Sequence, residues 1–217
     1  MTARIRVLIA DDEPLMLAGI QTVLESAPDL EVVAAVTDGA AAVAAAGRLG
    51  VDVALLDVRM PLLSGLDAMA ALSPGTAVVI LTSFGDEPSV LRALSQGASG
   101  YVLKTCTPDE LIRAVRSAHN GDAYLSPPVA RQVLTLLGPS GAAGAEHRRA
   151  AARRLSTLSP READVLRLVA EGLSNADIGT HLHMTEPSVK THVSRILTKL
   201  DCTNRVQAAL LHREATR

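Results

Sequence analysis

Short apolar runs alternate with longer segments of helical period along the first 124 residues. The run Arg4-Ile-Arg-Val-Leu-Ile-Ala10 stops at Asp11-Asp12-Glu13-Pro14, and Pro14 suits the first turn of a helix reaching about Ala27. Leu30 to Val36 reads as a second strand, the Ala-rich stretch 39–48 as a second helix, and Val51 to Asp57 as a third strand. A short helix over Gly65 to Leu72 precedes a fourth strand, Ala77 to Leu81, which runs out at Thr82-Ser83. A fourth helix from about Glu87 to Gln96, a fifth strand from Gly100 to Lys104 and a fifth helix from Pro108 to Asn120 complete the pattern. Five strands alternating with five helices predict an α/β fold with a parallel sheet and right-handed crossovers. The third strand, Val51 to Asp57, is an apolar run that suits burial on both faces and ends in a lone carboxylate, followed by a loop through Met60-Pro61 to Gly65. Ligands of such sheets bind beyond the carboxyl ends of the strands, although an isolated aspartate there is equally a turn cap.

The pattern changes after residue 124. Ser126-Pro-Pro to Leu137 is a further helix candidate, and Gly138 to His147 loses periodicity and reads as a flexible linker, with Arg pairs at 148–149 and 153–154 behind it. The expected organisation is a domain over 1–124, a helix and flexible linker over 125–155, and a second, all-helical domain over 156–217. In that domain Ser159-Pro-Arg-Glu162 is a capping box opening a helix that should stop at Gly172. Ser174-Asn-Ala-Asp177 repeats the device for a helix to about Leu182. After a break at His183-Met-Thr185, a longer helix spans Glu186 to Leu200, and a last one begins near Arg205. On the long helix Val189, Val193, Ile196, Leu197 and Leu200 share one face. Ser188, Thr191, Ser194, Arg195 and Thr198 face outward, flanked by Lys190 and His192. Two helices joined by a tight turn, the second with small polar and basic outward residues, fit a helix-turn-helix.

Composition narrows the partners. Aromatics are only 1% of the chain, so base stacking is a poor mode of nucleic-acid recognition here. The net charge of −2 conceals an asymmetry: residues 1–124 hold 8 Lys and Arg against 15 Asp and Glu, and residues 125–217 hold 13 against 8. The back half is therefore the one suited to a polyanion. Cys106 and Cys202 have no metal-ligand spacing and read as reduced thiols. With a start too short for a signal peptide and no apolar run of membrane-spanning length, a cytoplasmic protein with no membrane partner is expected.

The chemistry gathers at one edge of the expected sheet, where the strands end in Asp11-Asp12, Asp57, Thr82 and Lys104. Converging carboxylates repel one another unless a hard divalent cation with oxygen ligands sits among them, and Mg²⁺ binds through one or two carboxylates plus phosphate oxygens. Lys104 can neutralise an incoming phosphoryl group, Thr82 can hydrogen-bond one of its oxygens, and a carboxylate can itself be the nucleophile of an aspartyl-phosphate.

These residues give the front domain its resemblance to a response-regulator receiver domain of the two-component systems. Nearly the whole chain resembles the family in which a receiver precedes a LuxR-type (NarL/FixJ-type) helix-turn-helix. The resemblance implies a five-stranded, doubly wound, flavodoxin-like receiver with Asp57 as phosphoacceptor and Mg²⁺ held by Asp11, Asp12, Asp57 and the main-chain carbonyl of Arg59. It implies further that Lys104 pairs with the phosphoryl group and that Thr82 with Tyr101 forms the switch. In the second domain it implies that Ser188, Val189, Lys190, Thr191, His192 and Arg195 lie at the major groove or adjoining backbone. The implied partners are a sensor histidine kinase, double-stranded DNA and a second copy of the chain on activation. Three positions depart from the family pattern: Pro187 in a first turn, Ile178-Gly179 where Ile-Ala is commoner, and Asp201-Cys202 in place of a glycine and an aliphatic residue. Two rivals remain. Haloacid-dehalogenase-type phosphohydrolases also use strand-end carboxylates, but Arg59 stands where their second aspartate is needed; the other rival is a constitutive DNA binder with the receiver as a dimerisation scaffold.

Overall fold

The computed structural model describes residues 4–72, 75–83, 92–94, 96–126, 129–130 and 144–216. The chain divides into two compact units, residues 1–134 and 135–217.

The first unit is a parallel sheet of β1 Ile5–Ala10, β2 Leu30–Val36, β3 Val53–Asp57, β4 Ala77–Thr82, β5 Gly100–Leu103 and β6 Tyr124–Leu125. The helices described between the strands are α1 Pro14–Glu25, α2 Gly39–Leu49, α3 Gly65–Ala71 and α4 Pro108–His119. The strand order is β2-β1-β3-β4-β5-β6, so the winding reverses between β1 and β3 and opens a crevice beyond their carboxyl ends. β3 is buried along its whole length, as its unbroken apolar run requires, and each of Leu55 and Leu56 contributes about 2 kcal/mol by leaving water.

One side of the sheet packs on α1, through Leu17, Ile20 and Leu24, and on α4, through Leu111, Ala114 and Val115, against Ile9, Leu55, Leu81 and Val102. α4 starts with a capping box between Thr107 and Glu110 and with Pro108 in its first turn. The expected fourth helix, about Glu87 to Gln96, falls mostly outside the described residues, as does most of the helix candidate over 126–137.

The sheet has six strands where the sequence pattern predicts five. β6 pairs parallel with β5, Gly100 facing Tyr124 and Tyr101 facing Leu125, and two residues are too few to carry an alternation that could be read beforehand. Gly100 permits this pairing, since a Cβ there would lie 3.0 Å from the Tyr124 carbonyl oxygen.

The second unit is helical: α5 Gly144–Leu155, α6 Pro160–Ala170, α7 Asn175–Leu182, α8 Glu186–Lys199 and α9 Arg205–Ala215. The capping boxes at Ser159/Glu162 and Ser174/Asp177 are both formed. Pro187 fits in the first turn of α8, where its missing N–H costs nothing and Thr185 caps the Ser188 amide. Arg205 is buried and ties the start of α9 to Asn175 Oδ1 at 3.3 Å and the Leu173 carbonyl at 2.6 Å.

Two expectations change. The stretch 144–155, read as part of a flexible linker, is a helix whose Ala151 is buried in the core of the second unit. Its sequence is rich in good helix formers but offers only Ala151 and Leu155 as an apolar stripe, too narrow a stripe to register as periodicity. Gly179, which costs helix propensity, has a packing reason: a Cβ there would lie 2.7 Å from the Met184 carbonyl oxygen, so glycine lets the turn between α7 and α8 close. The Met184 amide donates to the Gly179 carbonyl at 2.8 Å across this contact, and His183 closes α7 in left-handed backbone at φ 54°.

Candidate functional site

At the crevice between β1 and β3 the carboxyl ends of four strands deliver the expected side chains. Asp11 follows β1 and is fully buried, Asp12 beside it is exposed, and Asp57 closes β3 with 6% exposure. Together with Glu13, Val58, Arg59, Thr82, Ser83 and Lys104, the Asp12 and Asp57 side chains line a cleft of about 190 Å³. Asp57 is held by the Arg59 amide, which donates to its Oδ2 at 3.3 Å. Behind it, Gly65 at the start of α3 is packed so closely that a Cβ would lie 2.0 Å from the Asp57 carbonyl oxygen. Only glycine permits α3 to start there, and the Gly65 amide donates to the Val58 carbonyl at 3.1 Å.

Lys104 is fixed beyond β5 by its own amide, which donates to the Thr82 carbonyl at 2.7 Å. Its Nζ reaches Asp11 Oδ2 at 2.8 Å, Glu13 Oε1 at 3.2 Å and Asp57 Oδ1 at 3.3 Å. Burial works against its charge, but the Asp11 contact and the attraction of Asp57 and Glu13 prevail and push its pKa up to about 12. The pKa of Asp57 is raised as well: burial raises it, Lys104 pulls against that rise, and Asp11 adds to it.

The acidic groups fit a divalent cation. Ligand oxygens of Asp11, Asp12 and Asp57 all lie within 4.8 Å of one another. Four carboxylates, counting Glu13, face the single ammonium of Lys104 among the described residues. Asp11 Oδ2 is buried and, among the described residues, meets only the Lys104 ammonium, at 2.8 Å. Oxygen-only donors with excess negative charge are what Mg²⁺ requires.

Thr82 is buried at the end of β4, and its hydroxyl donates to the neighbouring Ser83 carbonyl at 3.1 Å. Tyr101 is fully buried on β5. It faces Ile80 across the parallel ladder, so it and Thr82 project from the same face of the sheet. Glu13 and Ser83 line the cleft without having been singled out in the sequence. Glu13 was legible only as part of the acidic run before Pro14, which reads first as a helix start.

The chain matches the family described as response regulator receiver domain over residues 7–116 and the family described as bacterial regulatory proteins, luxR family, over residues 156–212. The transcriptional regulatory protein LiaR of Bacillus subtilis (strain 168) is 37% identical over 209 residues, covering 95% of each chain. The nitrate/nitrite response regulator protein NarL of Escherichia coli (strain K12) is 36% identical over 213 residues, covering 96% of this chain and 95% of that one. The chain is a LuxR-type response regulator. Its fold is similar to the crystal structure of ChrA, a response regulator of a heme-sensing two-component system, with a TM-score of 0.53, 32% identity and 99% coverage of both chains. The response regulator is a DNA-binding transcription regulator and, like these relatives, not an enzyme.

In the response regulator's second unit α8 is the second helix of the helix-turn-helix. Thr191 and Arg195 are exposed on it, with Ser188, Lys190 and His192 partly covered. Val189, which the resemblance implies at the groove, is fully buried in the helical core and braces α8 from behind. Lys190 lies 3.9 Å from Glu186 one turn earlier, a loose surface pair contributing well under 1 kcal/mol and easily exchanged for a phosphate. The Thr191 hydroxyl donates to the Pro187 carbonyl at 3.0 Å. The far end of α8 is anchored by Lys199, whose Nζ meets Glu162 Oε2 at 2.7 Å, and that hydrogen bond with the Ser159 amide lowers the Glu162 pKa to about 2. Among the described residues no helix is long and apolar enough to cross a membrane.

Proposed function

We propose that this response regulator is a phosphorylation-controlled transcription factor of the cytoplasm. Asp57 takes a phosphoryl group from a sensor histidine kinase, and the modified chain binds promoter DNA as a homodimer. The observation that carries the reading is Asp57 itself: a nine-tenths-buried carboxylate at a strand end, with the Lys104 ammonium 3.3 Å away and open to a cleft. A carboxylate oxygen attacks the phosphorus of a phosphohistidine, the P–N bond breaks with its electron pair returning to the imidazole, and an acyl phosphate forms. Lys104 keeps one donor-rich ammonium beside the oxygens that develop charge, and the Arg59 amide holds the nucleophile in place. Asp11, Asp12 and Asp57, with the Arg59 main-chain carbonyl, would hold Mg²⁺, which when bound neutralises charge on the phosphoryl oxygens. Leu15 in the first turn of α1 and Leu62 on the loop after β3, each 87% exposed, are apolar contacts for the docking kinase.

The added charge is read by Thr82. Its hydroxyl leaves the Ser83 carbonyl for a phosphoryl oxygen, and Tyr101 on the same face repacks behind it. On DNA, Lys190 and Arg195 meet phosphates or guanine edges while Ser188, Thr191 and His192 make short groove contacts. Two copies would read half-sites about one helical turn apart. The test is fluorescence anisotropy on a duplex recovered from a random-sequence pool, with the protein before and after acetyl phosphate treatment and with Asp57→Ala. Tighter binding only by treated wild type is expected; equal binding by all three would leave the receiver as a dimerisation scaffold for a constitutive DNA binder.

A further inference from the structure

Among the described residues, the chain ahead of the luxR-family match enters the DNA-binding unit through α5. α5 ends at Leu155, one residue before that match begins, and its Arg154 lies against the carboxyl end of α8. An α-helix leaves its last four carbonyls without partners inside the helix. At α8 two of them are met by the turn that follows: the Asp201 amide donates to the Thr198 carbonyl at 3.3 Å and the Cys202 amide to the Leu197 carbonyl at 2.9 Å. This pair of hydrogen bonds needs left-handed backbone at the residue after the cap, a conformation that favours glycine. Here the residue is Asp201, at φ 46°. The carbonyls beyond are taken by Arg154: Nη2 donates to the Leu200 carbonyl, with the Asp201 carbonyl at 3.4 Å and Cys202 Sγ at 4.0 Å. Arg154 is held in that position because Ala151, one turn earlier on α5, is buried in the same core as Val193 and Ile196 of α8. Its positive charge also faces the negative end of the α8 dipole.

We infer that Arg154 is a positioning residue for DNA recognition: it clamps the carboxyl end of α8 from the linker helix and so holds an α8 cap that Asp201 makes unfavourable. The clamp touches only main-chain carbonyls and the Cys202 sulfur, and no phosphate contact is assigned to it. It fixes where α8 sits, and thereby where Lys190, Thr191 and Arg195 lie. It also makes α5, and not only the matched module, part of the DNA-reading unit.

The inference rests on α8 being the recognition helix, and the experiment separates the two. In the full chain, binding to a duplex recovered by wild type from a random-sequence pool is measured across salt concentrations for wild type, Arg154→Met, Asp201→Gly and the double variant. Arg154→Met is expected to weaken binding roughly tenfold, the loss of hydrogen bonds from a charged donor, without changing the slope of log affinity against log salt. Asp201→Gly should restore most of that loss in the Arg154→Met background, where glycine removes the need for the clamp, and change wild-type binding less than about twofold. Unchanged affinity for Arg154→Met would overturn the inference, as would a salt slope reduced by about 0.9, the mark of a lost phosphate contact. So would an equal effect of Asp201→Gly in both backgrounds. A second measurement needs no DNA and covers a poorly folding Met variant: in Arg154→Gln, whose shorter side chain withdraws the Nη2 donor from the Leu200 carbonyl, the Asp201 and Cys202 amides should exchange several-fold faster than in wild type. Unchanged exchange there overturns the clamp even if wild type recovers no duplex, a result that would count separately against α8 as the recognition helix.

Discussion

Removing the Lys104 ammonium tests the electrostatics of the cleft most severely. Its Nζ is the only cation of the described residues within reach of Asp11, Asp57 and Glu13, at 2.8, 3.3 and 3.2 Å. A rise in its pKa from 10.5 to about 12 corresponds to at most about 2 kcal/mol of net attraction after burial has been overcome. Because the folded pKa lies above the unfolded one, that stabilisation is fully present below pH 10.5 and is lost as pH rises towards 12. Lys104→Met should therefore cost about 2 kcal/mol at pH 7, and the cost should shrink in acid, where protonation of Asp57 relieves its repulsion with Asp11. The Asp57 pKa, already raised by burial, should rise further once the opposing cation is gone. The assay is urea unfolding followed by circular dichroism at pH 7 and in acid, with EDTA and with Mg²⁺. Mg²⁺ should stabilise the variant more than wild type, because a bound divalent ion supplies the charge that the lysine no longer does. Wild-type stability at pH 7, or an equal Mg²⁺ effect on both proteins, would refute the reasoning.

Three further outcomes follow from the packing and charges. Gly65→Ala should lose about 3 kcal/mol and slow phosphoryl uptake, because its Cβ would sit 2.0 Å from the Asp57 carbonyl oxygen; thermal melting and intact-mass time courses read both effects. Gly179→Ala should destabilise the helical unit despite a gain of about 1 kcal/mol in helix propensity, since the Cβ meets the Met184 carbonyl at 2.7 Å; a raised melting temperature would contradict this. Glu162, whose pKa falls from 4.5 to about 2, stabilises the fold above pH 4.5 and loses that contribution as pH drops towards 2. With Lys199 43% exposed, water screens the pair, so Glu162→Gln should flatten the acid arm of the Val165 and Ile178 methyl NMR unfolding curves by about 1 kcal/mol.

The parts of the molecule that announce themselves in the sequence are those where one local rule dominates. β3 is an unbroken apolar run ending in Asp57, and Ser159, Ser174 and Thr107 are caps whose partners lie three residues on. The grouping of Asp11, Asp57, Thr82 and Lys104 was legible because each closes a strand of a parallel sheet, whose carboxyl ends share an edge. What escaped depends on distant neighbours. β6 is two residues long and exists because β5 offers an edge with a glycine at the point of contact. α5 has a weak apolar stripe and acquires meaning only from the core into which Ala151 inserts. Glu13 and Ser83 reach the cleft through loop geometry, and Val189 shows that a groove assignment carried by resemblance yields to helix phase. Gly179 reads as a flaw in a helix until the chain returns across it at Met184.

Everything proposed for the receiver depends on Asp57 accepting a phosphoryl group in this cleft. Intact mass spectrometry after incubation with acetyl phosphate and Mg²⁺, followed by peptide mapping, measures it directly. A gain of one phosphoryl mass is expected, located on Asp57 and absent from both Asp57→Ala and EDTA-treated protein. A wild-type mass that does not change, or a phosphoryl group that persists in Asp57→Ala, would contradict it.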